Sequence, residues 1–269
     1  EGRKDWNQAL DVPQLNLISY RGGTKEDYYA DTAGIDSFGI PFNLTIAEYI
    51  GLQDPVVISS NEDGELKVIP EQLTMSVGRA IYQAKLGRMP NADKKIALMF
   101  WNHPPGEHNQ GASNLNVPSS LEALSARLEE EGFAVSPKKE QDFIDAVALL
   151  LSPRYREDGF KRLMATDLWD SLPLAHYESW LSTLPVEVRQ RIDAYWGPAK
   201  QSPWVFDIEG EPRFVIPRMS LGNLIVMPQP PRGESGVSSE EKDIFHDDKV
   251  PVHHAYLATY LWVREQFDA

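Results

Sequence analysis

Residues 99–133 read MFWNHPPGEHNQGASNLNVPSSLEALSARLEEEGF, and the polar stretch brings His103, Glu107 and His108 close together in sequence. Two imidazoles and a carboxylate could coordinate a divalent ion or move a proton near neutral pH. The histidines lie five apart in a Pro/Gly-rich loop, however, and that spacing fixes no coordination geometry. The amides of Asn109, Gln110, Asn114 and Asn116 could donate to carbonyl or carboxylate oxygens of a ligand. They fall between a strand end and a helix start, where free backbone N–H groups favour anions. The alternative is a solvated loop held by its own side-chain hydrogen bonds.

Other candidates are scattered. Arg218 and Arg232 flank the turns around a strand near residue 224, and either could clamp a carboxylate. His253 and His254 are adjacent, so on a helix they diverge by about 100° and cannot face one ion together. His246 lies seven residues before His253, too loosely spaced to define a site. His103, His108 and His246 are therefore only weak metal candidates, and no residue is assigned a catalytic role from its type.

The elements that must position these groups are legible in the periodicities. Gln14–Tyr20 and Pro55–Ser60 read as strands, with a turn at Asn61–Gly64 and a return strand Glu65–Ile69. Pro70 opens a helix with Leu73, Val77, Ile81 and Leu86 on one stripe. Lys94–Trp101 is a continuous apolar run of the kind that parallel sheets bury. Ser119 and Glu122 suggest a capping box for the helix carrying Leu121, Leu124 and Leu128, and Gly132 ends it. Strand, loop, capped helix and the apolar start Phe133–Val135 follow the βαβ pattern.

Helical patterns then cover Lys138–Leu151, Arg156–Ala165 and Leu174–Leu184, and another opens at Pro185. Arg213–Ile216 and Leu221–Met227 read as strands, Ser238–Val250 as a loop, and a last helix runs from Pro251. The expected fold is α/β, a mostly parallel sheet flanked by helices with a mainly helical insertion. The expected organisation is a first α/β part over 1–137, the insertion over 138–204, and a return to the α/β core over 205–269.

The chain has 269 residues and a formal charge of −14, from 26 basic and 40 acidic residues. That balance, without a dense basic patch, argues against a nucleic-acid partner. The absence of cysteine removes disulfides, thiolate metal sites and a cysteine nucleophile. No apolar window is long enough to span a bilayer. Walker, G-x-G-x-x-G, H-E-x-x-H and G-x-S-x-G sequences are all missing. A polar start at Glu1 and a helical pattern running to the last residues suggest a piece of a longer polypeptide, or a chain whose leader has gone.

Three ordered blocks nevertheless resemble one family: Lys94–Phe133, GNLIVMPQPPRG at Gly222–Gly233, and FHDDKVPVHHAYLATYLWVREQF at Phe245–Phe267. Together they are similar to the central part of the large subunit of class I ATP-dependent metal chelatases, the group of cobaltochelatase and of the porphyrin-binding subunit of magnesium chelatase. The resemblance implies a tetrapyrrole- and metal-binding subunit whose ATP hydrolysis, with Mg2+, resides on two partners: an AAA+ ATPase subunit and a subunit with an integrin-like domain. Co2+ or Mg2+ would be the substrate metal, and no cofactor is expected on this piece. The loop and the P-V-H-H-A-Y-L helix look closer to the cobalt branch, implying insertion into hydrogenobyrinic acid a,c-diamide; magnesium insertion into protoporphyrin IX is an alternative. A cytoplasmic location is expected, with the remainder of the large subunit as a further partner, and the piece alone should be inactive. Carried over position by position, the resemblance marks His103, Glu107, His108, Asn114, Arg232, His246, His253 and His254; these, with Asn109 and Arg218 from the reading of residue types and without His246, are the substrate-binding candidates. Rival readings are a non-catalytic ligand-binding or inter-domain scaffold module, and a metal hydrolase built on His103 and His108.

Overall fold

The computed structural model describes residues 2–32, 34–35, 37–102, 106–112, 114–230 and 250–267. The chain forms two compact units, one reaching Met89 and the other starting at Pro90. That boundary lies inside the segment 1–137 that the sequence reading keeps together. Among the described residues no helix is long and apolar enough to cross a membrane.

The first unit holds α1 (Gly2–Leu10), β1 (Leu15–Tyr20), α2 (Lys25–Ala30), α3 (Ile46–Tyr49), β2 (Gln53–Glu62), β3 (Glu65–Val68) and α4 (Pro70–Arg88). β1 pairs parallel with β2, and β2 turns back into β3. Asp63 and Gly64, both at positive φ, make the expected turn. The core here is small, with Ile18, Val57 and Ile69 at its centre. The stripe proposed for α4 does not face that core: Val77 and Ile81 are exposed, and the buried residue is Ser76. A small side chain there lets the helix approach β2 closely.

The second unit contains β4 (Ile96–Phe100), β5 (Gly111–Ala112), β6 (Leu115–Asn116), α5 (Val117–Glu130), α6 (Glu140–Tyr155), α7 (Gly159–Met164) and β7 (Trp169–Pro173). It continues with α8 (Leu174–Leu181), α9 (Val186–Trp196), β8 (Val205–Ile208), β9 (Glu211–Pro217), β10 (Met219–Leu221), β11 (Leu224–Pro228) and α10 (His254–Gln266). The fold is α/β, and strand orientation is mixed rather than mostly parallel. β4 and β11 are parallel, β10 is antiparallel to β11, and β7, β9 and β8 form a separate antiparallel sheet. The antiparallel pairs come from short connections, such as the Glu209–Gly210 turn at positive φ that joins β8 to β9.

In the order β10-β11-β4 the apolar strand β4 is outermost among the described strands, not central. Both of its faces are nonetheless covered. Ile96, Leu98 and Phe100 join a core with Leu224, Val226, α5 and α6, whereas Ala97 and Met99 join a second core with Ile225, Met227, α8, α9 and α10. Two-sided burial explains the unbroken apolar sequence of β4.

Candidate functional site

β4 and β11 run in the same direction and end together. Phe100 pairs with Pro228, and the Gln229 N–H donates to the Phe100 carbonyl at 2.9 Å. Parallel strands that share a carboxyl edge, with helices on both faces, leave a crevice outside that edge where ligands of α/β folds usually bind. The polar loop leaves β4 at this edge.

Its anchor is Asn102, 6% exposed. The side-chain amide donates to the carbonyls of Gly106 and Asn109, at 3.1 and 2.6 Å. Its Oδ1 accepts from the Tyr155 hydroxyl at 2.5 Å and from the Gly106 N–H at 3.3 Å. The Gly106 N–H also reaches Tyr155 Oη at 2.9 Å. Gly106 has φ of +147°, and a Cβ there would stand 2.7 Å from the Asn109 side chain, so glycine is required.

Glu107 is clasped by cations. The Arg156 Nε–H donates to both carboxylate oxygens, at 2.7 and 2.6 Å, and Arg162 Nη1 lies 3.5 Å away. With its carboxylate side chain 10% exposed, this pair is screened less than a surface ion pair. Glu107 thereby ties the loop to the end of α6 and to α7. Beside it His108 is exposed, with Nε2 3.9 Å from Glu107 Oε2.

The amides found in the sequence are largely engaged within the protein. Gln110 donates to the Ile144 carbonyl at 2.7 Å. Asn114, with φ of +74°, occupies the turn between β5 and β6, a left-handed conformation that asparagine tolerates. Asn116 is the N-cap of α5, accepting from the Ser119 N–H at 3.1 Å and donating to Glu140 at 2.8 Å. This corrects the capping box expected at Ser119: Glu122 instead accepts from the Glu140 N–H and from Lys139, securing the start of α6. Those bonds hold the Glu122 carboxyl below its usual range.

The remaining candidates are not gathered at the loop. His103, Arg232 and His246 lie outside the described residues. Arg218 donates to the Asp167 carbonyl at 2.9 Å and pairs with Asp170 at 3.4 Å. It lines a hollow that also holds Lys138, Asp142, Asp145 and Asp167, so its charge is already balanced by neighbouring acids. His253 and His254 are buried in the second core, across the sheet from α5 and α6. His253 caps α10, its Nδ1 accepting from the Ala255 N–H at 3.1 Å, and its ring packs perpendicular to Trp196. Burial first, then the neighbouring His254, pushes its pKa down to about 4. His254 Nε2 donates to the Gly197 carbonyl at 2.9 Å, which leaves Nδ1 to accept from the Tyr177 hydroxyl at 2.8 Å. Among the described residues no group of three His, Asp or Glu side chains could hold a metal ion.

Several groups at the edge escape a reading by residue type: Asn102, Tyr155, Arg156 and Arg162 around the loop, and Arg154, Gln229 and Tyr260 beyond it. The Arg-Tyr-Arg run at 154–156, closing a long helix, is the signal that could have found some of them.

A family model described as CobN/Magnesium Chelatase matches residues 1–269. The chain is 25% identical to the H-type large chain of magnesium chelatase from Chlorobaculum parvum, over 100% of its own length and 20% of the relative. It is 27% identical to the aerobic cobaltochelatase subunit CobN of a Sinorhizobium species, over 97% of its length and 20% of the relative. Its fold is like part of the catalytic subunit of cobaltochelatase from Mycobacterium tuberculosis, with a TM-score of 0.74 and 24% identity, covering 96% of this chain and 21% of that one. The chain thus spans about a fifth of the length of the curated relatives it matches.

Proposed function

Because the chain belongs to the CobN/magnesium chelatase family, we propose that it is part of the large subunit of an ATP-dependent chelatase that inserts cobalt into hydrogenobyrinic acid a,c-diamide. The whole-chain family match carries this reading. The crevice at the carboxyl edge of β4 and β11 supplies the place for a substrate. Metal insertion replaces the pyrrolic N–H protons with the metal, so the site needs a macrocycle held still, a path for the ion and an acceptor for protons. The clasped loop gives rigidity at the edge, and the His108 imidazole is a proton acceptor open to solvent. The metal is a substrate, and the energy comes from ATP hydrolysed on an AAA+ partner and coupled through an integrin-like-domain partner.

The choice of cobalt rests on the likeness of the loop and the last helix to the cobalt branch. Magnesium insertion into protoporphyrin IX is the second reading, favoured by the equally extensive match to a magnesium-chelatase chain. The test combines the complete subunit, both partners, ATP, Co2+ or Mg2+, and each tetrapyrrole, followed by absorbance. Cobalt incorporation into the corrin precursor supports the first reading, and magnesium incorporation into the porphyrin replaces it with the second. Failure of both pairs, with a complex that hydrolyses ATP, would leave the scaffold reading.

A further inference from the structure

The two outer strands of the sheet β10-β11-β4 are built differently. β10 has only three residues, and its turn into β11 is tied down: Val135 bridges to Gly222, and the Ser136 N–H donates to the Leu221 carbonyl at 3.1 Å. β4 presents five residues, Ile96–Phe100, with no charge, no proline and no bulge in its register with β11. Shortness, charge, proline and bulges are the usual guards of an outer strand, whose unpaired backbone groups attract another strand. β4 has none of them.

The ladder fixes which groups are unpaired. The Ile96 N–H donates to the Asn223 carbonyl at 2.8 Å, and the Phe100 carbonyl accepts from the Gln229 N–H at 2.9 Å, so residues 96, 98 and 100 address β11. Ala97 and Met99 direct their N–H and C=O groups to the other side, where no strand among the described residues pairs with β4. Side-chain exposure agrees. In β11, with a strand on each side, Leu224, Ile225, Val226 and Met227 are 0–6% exposed, whereas their register partners Ile96 to Met99 are only partly buried. Residues of both faces are affected, so the missing cover lies beside the strand and not over one face.

We propose that the open edge of β4 receives an extended apolar segment from the part of the large subunit outside this chain, making β4 an interior strand. Such a segment supplies partners for the Ala97 and Met99 backbone, and its alternating side chains extend both cores. The unbroken apolar run of β4 is the sequence of a strand with neighbours on both edges and cover on both faces. This chain spans 20% of relatives that it matches over 97–100% of its own length, so the subunit has ample chain to provide the segment. Two-sided burial marks parallel strands, which crossovers join within one polypeptide. A second copy meeting this edge across a two-fold axis perpendicular to the sheet would lie antiparallel.

The test is amide exchange of this chain and of the complete subunit, resolved to single residues by mass spectrometry with electron-transfer fragmentation. In the chain alone, Ala97 and Met99 should exchange about a hundredfold faster than Leu98 and Phe100, which β11 holds. In the complete subunit the four amides should be protected alike. Ala97→Pro removes an outward N–H that an outer strand can spare. It should leave Phe100 protected in the chain alone, yet quicken exchange in an extended segment outside residues 1–269 of the complete subunit. Fast Ala97 and Met99 amides in both proteins overturn the proposal, as does their protection in the monomeric chain. Protection that grows as the chain dimerises replaces the segment with a second copy. If Ala97→Pro quickens nothing outside residues 1–269, the occupant does not come from there.

Discussion

Gly159→Ala should break the corner that supports the loop. Gly159 opens α7 against the end of α6, and a Cβ there would stand 2.1 Å from the Ser152 carbonyl oxygen, 2.4 Å from its carbon and 2.6 Å from Pro153 Cα. All three are backbone atoms, so no side chain can swing away, and α7 must retreat by about 1 Å to reach ordinary contact. Overpacking of this kind costs about 1–3 kcal/mol. The movement also strains the bond from Ser152 Oγ to the Gly159 carbonyl, 3.1 Å, adding about 1 kcal/mol. Reduced freedom of the unfolded chain returns about 0.5–1 kcal/mol. The net loss is about 1–3.5 kcal/mol, a fall of about 0.4–1.4 M in the urea midpoint at a slope of about 2.5 kcal/mol/M. The same corner aims Tyr155, Arg156 and Arg162 at the loop, so amide exchange at Gly106 should quicken as well. An unchanged midpoint together with unchanged exchange at Gly106 would refute this account of the corner.

Three further outcomes are expected. Asn102→Leu leaves the Gly106 and Asn109 carbonyls without their side-chain donor, so proteolysis within 106–110 should accelerate and stability fall by about 2–3 kcal/mol, as read by limited digestion and urea titration. Arg218→Gln should leave deuteroporphyrin affinity within twofold of the parent, because its guanidinium is already held by Asp167 and Asp170; a larger loss in an absorbance titration would restore it as a ligand group. His253 has a folded pKa of about 4 against an ordinary 6.5, so its contribution is complete above about pH 6.5 and is lost as pH falls toward 4, by at most about 3 kcal/mol. His253→Asn, which keeps an N-cap acceptor, should flatten that part of the pH dependence, and an equally steep acid limb in urea unfolding at pH 7 and 4.5 would count against it.

Local signals made most elements legible, and long-range ones hid the rest. The run Lys94–Trp101, the turn at Asp63–Gly64 and the helix starting near Ser119 follow from apolar periodicity and turn chemistry within a few residues. The outer position of β4 and the separate antiparallel sheet depend on partners far along the chain, such as Trp169 opposite Pro217. The stripe on α4 misled because its buried contact is made by Ser76, whose small side chain has no hydropathic signature. In the loop, Asn114 and Asn116 carry the composition of a ligand contact but serve as turn and cap, two roles that favour the same residue type. Glu107 stood out in the sequence, yet the arginines that hold it come from 49 and 55 residues away, a pairing no local window can show.

The two sides of the β4–β11 pair are therefore held by separate hydrogen-bond networks. On the α5–α6 side, Asn102, Tyr155, Glu107, Arg156 and Arg162 satisfy one another, so their polar capacity is directed inward and fixes the loop. On the α10 side, the Tyr177 hydroxyl, the His254 imidazole and the Gly197 carbonyl form a hydrogen-bonded chain inside the second core. Because neighbouring residues of one strand point to opposite faces, Met99 and Phe100 join the two cores one peptide apart. A substitution on the α5–α6 side should therefore alter loop dynamics and substrate affinity together.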